Sequence, residues 1–389
     1  MTACPVCLHD SLAIFFEIDH VPTHCNLLWP DMQSARSAPR RDIRLGFCRQ
    51  CGMVYNVSFD PEVMRYTSGY ETSLHFSPLF QTYAQQLAER LITEYDLNGK
   101  TIIEIGCGQG EFLSLLCADG RNQGVGFDPS YDSRHNGAAG TLSITFVQDF
   151  YTDRHGDYAA DFICCRQVLE HVESPREFLF QVRRAIGGRE TIVFFEVPNV
   201  LYTLRDLGIW DIIYEHCSYF SPASLSRLFE ESGFKVLRLE ETYGGQFLCL
   251  EAIPLHSLKP PPQDRADAIH AMEALVAEFT EEHNNKVRAW REHLARLGEN
   301  GTRIVVWGAG SKGVTFLNVM NVEKQIQYVV DVNPRKQGLF VPGTGQQIVQ
   351  PDALGSYRPN TVIVMNPLYS GEIQRMATNM NIVAELLAA

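Results

Sequence analysis

The stretch Thr101-Ile-Ile-Glu-Ile-Gly-Cys-Gly-Gln-Gly-Glu-Phe-Leu113 restricts the possible folds of this chain more than any other. Ile102 to Ile105 is a short β-type apolar run that ends in Gly106-Cys107-Gly108-Gln109-Gly110. Phe112, Leu113, Leu115 and Leu116 follow at once with helical spacing. In α/β folds a strand that delivers a glycine-rich turn to a helix N-terminus brings backbone close to a nucleotide-like ligand. Glycine is required because a Cβ would block that approach or forbid the turn's positive φ. The device recurs in Thr302-Arg-Ile-Val-Val-Trp-Gly-Ala-Gly-Ser-Lys-Gly313, so the sequence predicts two separate α/β layers.

At 389 residues the chain is long enough for two or three domains. Lys and Arg number 33 against 46 Asp and Glu, a formal charge of −13. That balance argues against a general nucleic-acid or anionic-membrane binder. No basic-plus-apolar leader is visible, and no apolar run approaches the roughly 18 residues of a membrane span. The expectation is a cytoplasmic protein whose eleven cysteines are mostly reduced and buried.

Four cysteines differ from the rest by their spacing. Cys4-Pro-Val-Cys7 and Cys48-Arg-Gln-Cys51 are two C-x2-C knuckles, which together complete a Cys4 site for tetrahedral zinc. Four thiolates leave no open position, so the ion's role is structural. The 40 residues between the knuckles must form a small layer of their own, at a loop-closure cost that rises slowly with length. Residues 1–60 are therefore read as a zinc-binding module.

Residues 61–258 are read as the second domain. With Glu104 two residues ahead of Gly106, the glycine turn resembles motif I, E-x-G-x-G-x-G, of class I methyltransferases that bind S-adenosylmethionine (SAM). Glu104, Gly106, Gly108 and Gly110 are thus candidate cofactor residues. Gly124-Val-Gly-Phe-Asp128 reads as a second strand ending in a carboxylate, suited to two ribose hydroxyls. Ile144 to Phe150 reads as a third, with Asp149 positioned for the adenine amino group and Phe150 for its ring. A fourth strand from Asp161 runs into Gln167 and His171, expected at the sheet's C-terminal edge, where ligands of open α/β sheets sit. Gln167 is assigned to the cofactor, His171 to the substrate. A fifth strand ends in Glu196-Val-Pro-Asn199, and Asn199 joins the substrate set.

Tyr214-Glu215-His216 is the richest stretch for chemistry. A carboxylate beside a histidine stabilises the imidazolium and fixes the ring, which suits general-base work near neutral pH. Upstream, Arg65 to Glu71 is a polar, glycine-broken segment that reads as a lid. Its Tyr66 and Tyr70 are candidate substrate residues. Tyr243-Gly-Gly-Gln-Phe247 opens an apparent closing strand, its glycines permitting close backbone contact with a ligand.

Taken in order, the cysteine knuckles, Glu104 to Gly110, Arg166-Gln-Val-Leu-Glu-His171, Glu196-Val-Pro-Asn199 and Tyr214-Glu-His-Cys-Ser-Tyr-Phe220 resemble the three-domain C-methyltransferases of nucleotide-linked ketosugars. The resemblance covers nearly the whole chain. It implies an N-terminal zinc module, a Rossmann-like class I SAM domain and a second Rossmann-like α/β domain, together enclosing the sugar nucleotide. It also implies that His216 is the base, with Glu215 and Tyr214 in support. The family's lid is serine-rich. This chain has Tyr70-Glu-Thr-Ser-Leu-His-Phe-Ser77 there, which leaves the sugar-facing tyrosine open between Tyr66 and Tyr70.

Residues 265–389 are read as the third domain, led by a linking helix. Lys312 and the N–H groups of its glycine turn suit an anionic substrate such as a sugar-nucleotide diphosphate. The resemblance implies the same use and no second cofactor. The rival reading of the turn is an NAD site in an oxidoreductase. Within the methyltransferase reading, O- or N-methylation is the alternative to C-methylation. The small-molecule substrate is expected to be met by a monomer or a homodimer.

Overall fold

The computed structural model describes residues 3–10, 12–64, 69–118, 120, 122–133, 143–255, 265–322 and 325–389. Tyr66 and most of the predicted lid lie outside them. Three sheets carry the architecture.

The central sheet has seven strands, in spatial order Phe234–Thr242, Phe247–Pro254, Ile192–Pro198, Phe162–Arg166, Thr101–Ile105, Gln123–Phe127 and Ile144–Val147. The last five are parallel, and the first two form an antiparallel hairpin against Ile192–Pro198. Fully buried runs such as Phe162-Ile-Cys-Cys165 and Val193 to Val197 mark strands covered on both faces. From Thr101–Ile105 the chain steps outward through two strands, then returns to the other side at Phe162–Arg166. That reversal opens a crevice at the strands' C-terminal ends, and the turn from Gly106 lies at its edge.

The C-terminal sheet repeats the plan with five parallel strands: Gln347–Val349, Ile326–Val330, Ile304–Trp307, Thr361–Val364 and Glu385–Ala388. Its reversal falls between Ile304–Trp307 and Thr361–Val364, beside the turn from Gly308. Both domains thus direct a glycine turn toward a crevice.

In the N-terminal module Leu12–Pro22 pairs with Arg40–Cys48, which pairs with Val54–Asn56. The fourth strand is Ser218–Tyr219, contributed by the segment just after His216. The 34-residue helix Ala266–Glu299 packs its apolar face on this module rather than standing apart as a linker. Phe279 meets Phe16 edge-on at 5.1 Å, and Thr280 donates to the Phe15 carbonyl at 2.6 Å.

Side chains tie the central and C-terminal domains together. Gln246 and Asn366 exchange two amide hydrogen bonds of 3.0 Å, Tyr243 donates to the Tyr369 hydroxyl at 2.5 Å, and Ser77 donates to Glu372 at 2.8 Å. Gly244, at φ +64, has Leu368 of the C-terminal domain where a Cβ would go. This glycine therefore serves the domain contact, not the ligand contact expected from the sequence. No helix among the described residues is long and apolar enough to cross a membrane.

Candidate active site

The two crevices face one another across a shared cavity of about 690 Å³, within the usual range for small-molecule and cofactor sites. One wall is the central domain's strand ends, from Gly106 and Gly108 through Asp128, Asp149, Gln167 and His171 to His216. The opposite wall includes Gly308, Gly310 to Gly313, Asp331, Asn333 and Lys336 of the C-terminal domain. Asn26, from the N-terminal module, and Tyr70 complete the lining.

Glu104 is buried at the base of the first turn, where its carboxylate accepts the Leu113 N–H at 3.0 Å. Burial pushes its pKa up to about 8. Asp128 Oδ2 accepts the Gly108 N–H at 2.8 Å, while Oδ1 takes the backbone N–H and hydroxyl of Ser130. The second-strand acid therefore shapes the turn itself and also lines the cavity. Asp149 caps its neighbour's N–H and pairs with Arg154, and Phe150 is exposed at the rim. Gln167 lies at the cavity with φ +55 and donates its amide to Glu196 at 3.2 Å. Gly110 does not line the cavity. At φ +82, a Cβ there would strike the Phe146 ring, so packing requires this glycine.

Tyr214-Glu215-His216 does not act as a cluster. Adjacent residues of this turn point in different directions, and only His216 lines the cavity. Tyr214 is fully buried, its hydroxyl accepting the Asp60 N–H at 2.9 Å and donating to the Ser58 carbonyl. Glu215 is also buried, accepting the Cys25 N–H at 2.8 Å. It holds the N-terminal module in place rather than pairing with the imidazole. Burial, reinforced by His171 and Lys312, pushes the His216 pKa well below its ordinary value. This reverses the imidazolium stabilisation expected from the sequence and leaves a neutral ring.

The imidazole's neighbours are His171, edge-on at 4.9 Å between ring centroids, and Glu170, whose carboxyl lies within 4.8 Å. A carbonyl can only accept, so the 2.9 Å contact of His171 Nδ1 with the Glu215 carbonyl fixes the proton on Nδ1. Nε2 then lies 4.0 Å from Glu170 Oε1. Glu170 is 1% exposed, neither carboxyl oxygen has a hydrogen-bond partner among the described residues, and burial raises its pKa to about 8. Asn199 is a correction: it caps the helix Val200–Leu204 and donates to the Gly245 carbonyl, away from the cavity. Lys312 does line the cavity, but its ammonium is paired with Asp211.

At the far end of the N-terminal module, Cys4, Cys7, Cys48 and Cys51 are buried with all four Sγ atoms within 4.8 Å of one another. The closest pairs, Cys4–Cys51 and Cys7–Cys48, stand 3.5 and 3.6 Å apart. Thiolates around a tetrahedral zinc stand about 3.8 Å apart, so the donor set and its spacing fit that ion.

Residues 79–239 match the family model described as a methyltransferase domain, and residues 262–384 match that of the C-methyltransferase C-terminal domain. The chain is 26% identical over 396 aligned residues to the C-methyltransferase NovU of Streptomyces niveus, covering 95% of this chain and 90% of that protein. The chain belongs to the C-methyltransferase family. It is a SAM-dependent methyltransferase with a class I central fold. A ubiquinone biosynthesis O-methyltransferase of Salmonella arizonae is 24% identical over 131 residues, which span 32% of this chain and 53% of that protein. Among solved structures, the magnesium protoporphyrin IX methyltransferase ChlM of Synechocystis PCC 6803 with bound SAH is 17% identical. It covers 45% of this chain and 84% of that one, with a TM-score of 0.37.

The sequence reading missed Glu170 in this methyltransferase's cavity and Glu196 beneath it. Glu170 carried a signal, since it sits beside His171 in a polar loop after a buried strand. Glu196, read only as part of a motif, is fully buried. There it accepts from Tyr83 at 2.5 Å and pairs with Arg166 at 3.0 Å, bracing the strand ends beneath the cavity.

Proposed function

We propose that this methyltransferase adds a methyl group to the carbon beside the ketone of a nucleotide-linked sugar, with His216 as the general base. The observation that carries this reading is an imidazole, kept neutral by its burial, that lines the same cavity as the motif I turn. A ketose α-carbon is a poor nucleophile until it loses a proton. A base held uncharged at neutral pH, with no carboxylate to fix it as imidazolium, suits that step. His216 takes the proton, and His171, its Nδ1–H fixed on the Glu215 carbonyl, holds the ring's edge. The Glu170 carboxyl lies within 4.8 Å of a ring nitrogen of His216, where the imidazolium forms.

Gly106, Gly108, Glu104, Asp128, Asp149, Phe150 and Gln167 are the residues we assign to SAM. When bound there, SAM supplies an electrophilic methyl group, and S-adenosylhomocysteine (SAH) is the product. The Cys4 cluster is assigned to a structural zinc, on donor type and spacing.

The test is an assay with methyl-labelled SAM and a panel of nucleotide-linked ketosugars, read by product NMR. A carbon-bound methyl resonance is expected. An O–CH3 or N–CH3 resonance would sink the proposal in favour of heteroatom methylation.

The SAM assignment has a separate test in Gly106→Ala. Gly106 has φ +71, and a Cβ would run into Val168 of the neighbouring loop. The strain and overlap should cost about 1–3 kcal/mol and displace the turn. A lower melting temperature together with weaker SAH binding by titration calorimetry is the expected result. Unchanged SAH affinity would remove this turn from the cofactor site.

A further inference from the structure

Arg166 lines the cavity at the end of the strand Phe162–Arg166. Cys165 of that strand pairs with Ile105 of its parallel neighbour, so Arg166 and Gly106 leave the sheet side by side. The guanidinium carbon lies 4.1 Å from the centre of the Phe112 ring, in the helix that follows the motif I turn. Open α/β sheets take their ligands in the crevice where strand order reverses, and Arg166 stands in it.

The Arg166 side chain is 8% exposed, and most of its donors are unused. Nη2 donates to Glu196 at 3.0 Å, the guanidinium's one hydrogen bond to a described residue, and Nε is buried with no acceptor among them. A guanidinium carries five N–H groups, and buried donors left unbonded are costly. Glu196 already balances the charge, so the site calls for acceptor oxygens rather than for any anion.

The order of groups along the sheet indicates whose oxygens these are. Four neighbouring strands end at Val147, Phe127, Ile105 and Arg166. They present, in that order, Asp149, Asp128, the turn from Gly106 and Arg166. The cofactor has the same sequence of parts: adenine, ribose, sulfonium, and then the amino-acid end. Arg166 falls at that last part, whose carboxylate offers two oxygens to a guanidinium fork.

We propose that Arg166 binds the α-carboxylate of SAM and SAH, with Glu196 as the positioning residue that holds the guanidinium at the cavity wall. The assignment rests on the motif I turn being the SAM site, and not on which substrate atom is methylated.

The experiment is calorimetric titration of the full chain with SAH and with decarboxylated SAH, which keeps the amino group and lacks the carboxylate. The wild-type protein should bind SAH about 10- to 100-fold more tightly than the analogue, the span expected for hydrogen bonding between charged groups. In Arg166→Met that preference should be lost, while the analogue binds as in wild type. Arg166→Lys keeps the charge beside Glu196 but not the fork, and should retain only part of the preference.

An unchanged preference in Arg166→Met would overturn the proposal. Equal wild-type affinities for the two compounds would do the same without any variant. Should Arg166→Met fail to fold, an undiminished preference in Arg166→Lys is the overturning result, and a reduced one supports the assignment. Failure of the underlying SAM assignment is separately visible, as unchanged SAH affinity in Gly106→Ala. Because no turnover is measured, an O–CH3 product in the labelled-methyl assay would leave this result standing.

Discussion

Replacing His216 by Asn should lower turnover by about 10² to 10⁴-fold, the usual contribution of a positioned general base, while SAH binds as in wild type. The expected separation follows from geometry. His216 is on the cavity wall, whereas the glycine turn and Asp128 hold their shape through their own hydrogen bonds. The pH profile provides a second readout. An imidazole accepts a proton only when neutral, so the active form is present above its pKa and is lost as pH falls through it. Burial, with His171 and Lys312, sets that pKa well below 6.5. The acid limb of kcat should therefore lie below pH 6.5. A limb above 6.5 would mean that a carboxylate stabilises the imidazolium after all, and near-normal turnover in His216→Asn would remove this residue from the chemistry.

That prediction depends on a feature the sequence could not show. Tyr214, Glu215 and His216 are adjacent, and adjacency invites a cooperative reading. In an irregular turn no periodicity says which side chains share a face. Here the first two face the N-terminal module and only the third faces the cavity. Asn199 was misread differently. An Asn just ahead of a helical stretch is a standard N-cap, so that local signal was available.

Motifs contained within one strand–turn–helix unit were legible, because local sequence sets their conformation. Both glycine turns, the acids Asp128 and Asp331 after the second strands, and the class I fold fall in this group. Features made by contacts distant in sequence were not. The Lys336 ammonium meets the Ala309 carbonyl, 27 positions away. Ser218–Tyr219 joins a sheet whose other strands end at Asn56. The long helix that follows the central domain packs on strands near the start of the chain.

These contacts give the Cys4 cluster consequences beyond its own module. Cys48→Ser should cost the protein one zinc per chain and lower its melting temperature, with turnover falling further than SAH binding does. Structural zinc contributes about 10–16 kcal/mol in isolated finger peptides. The loss here should be smaller, because the module also has its antiparallel sheet and the packed helix. The coupling to turnover runs through named bonds. Cys48 ends the strand that pairs with Val54–Asn56, and that strand pairs with Ser218–Tyr219, two residues past His216. Cys25 of the same module donates its N–H to Glu215, the residue just before His216. Loosening the module therefore frees the His216 turn from two sides, while the motif I turn is held by hydrogen bonds within the central domain. Metal content, thermal unfolding, SAH titration and turnover measured on one preparation would check each part. A Cys48→Ser protein with wild-type zinc content and melting temperature would refute the structural role. Equal losses of SAH affinity and turnover would refute the path from the cysteines to His216.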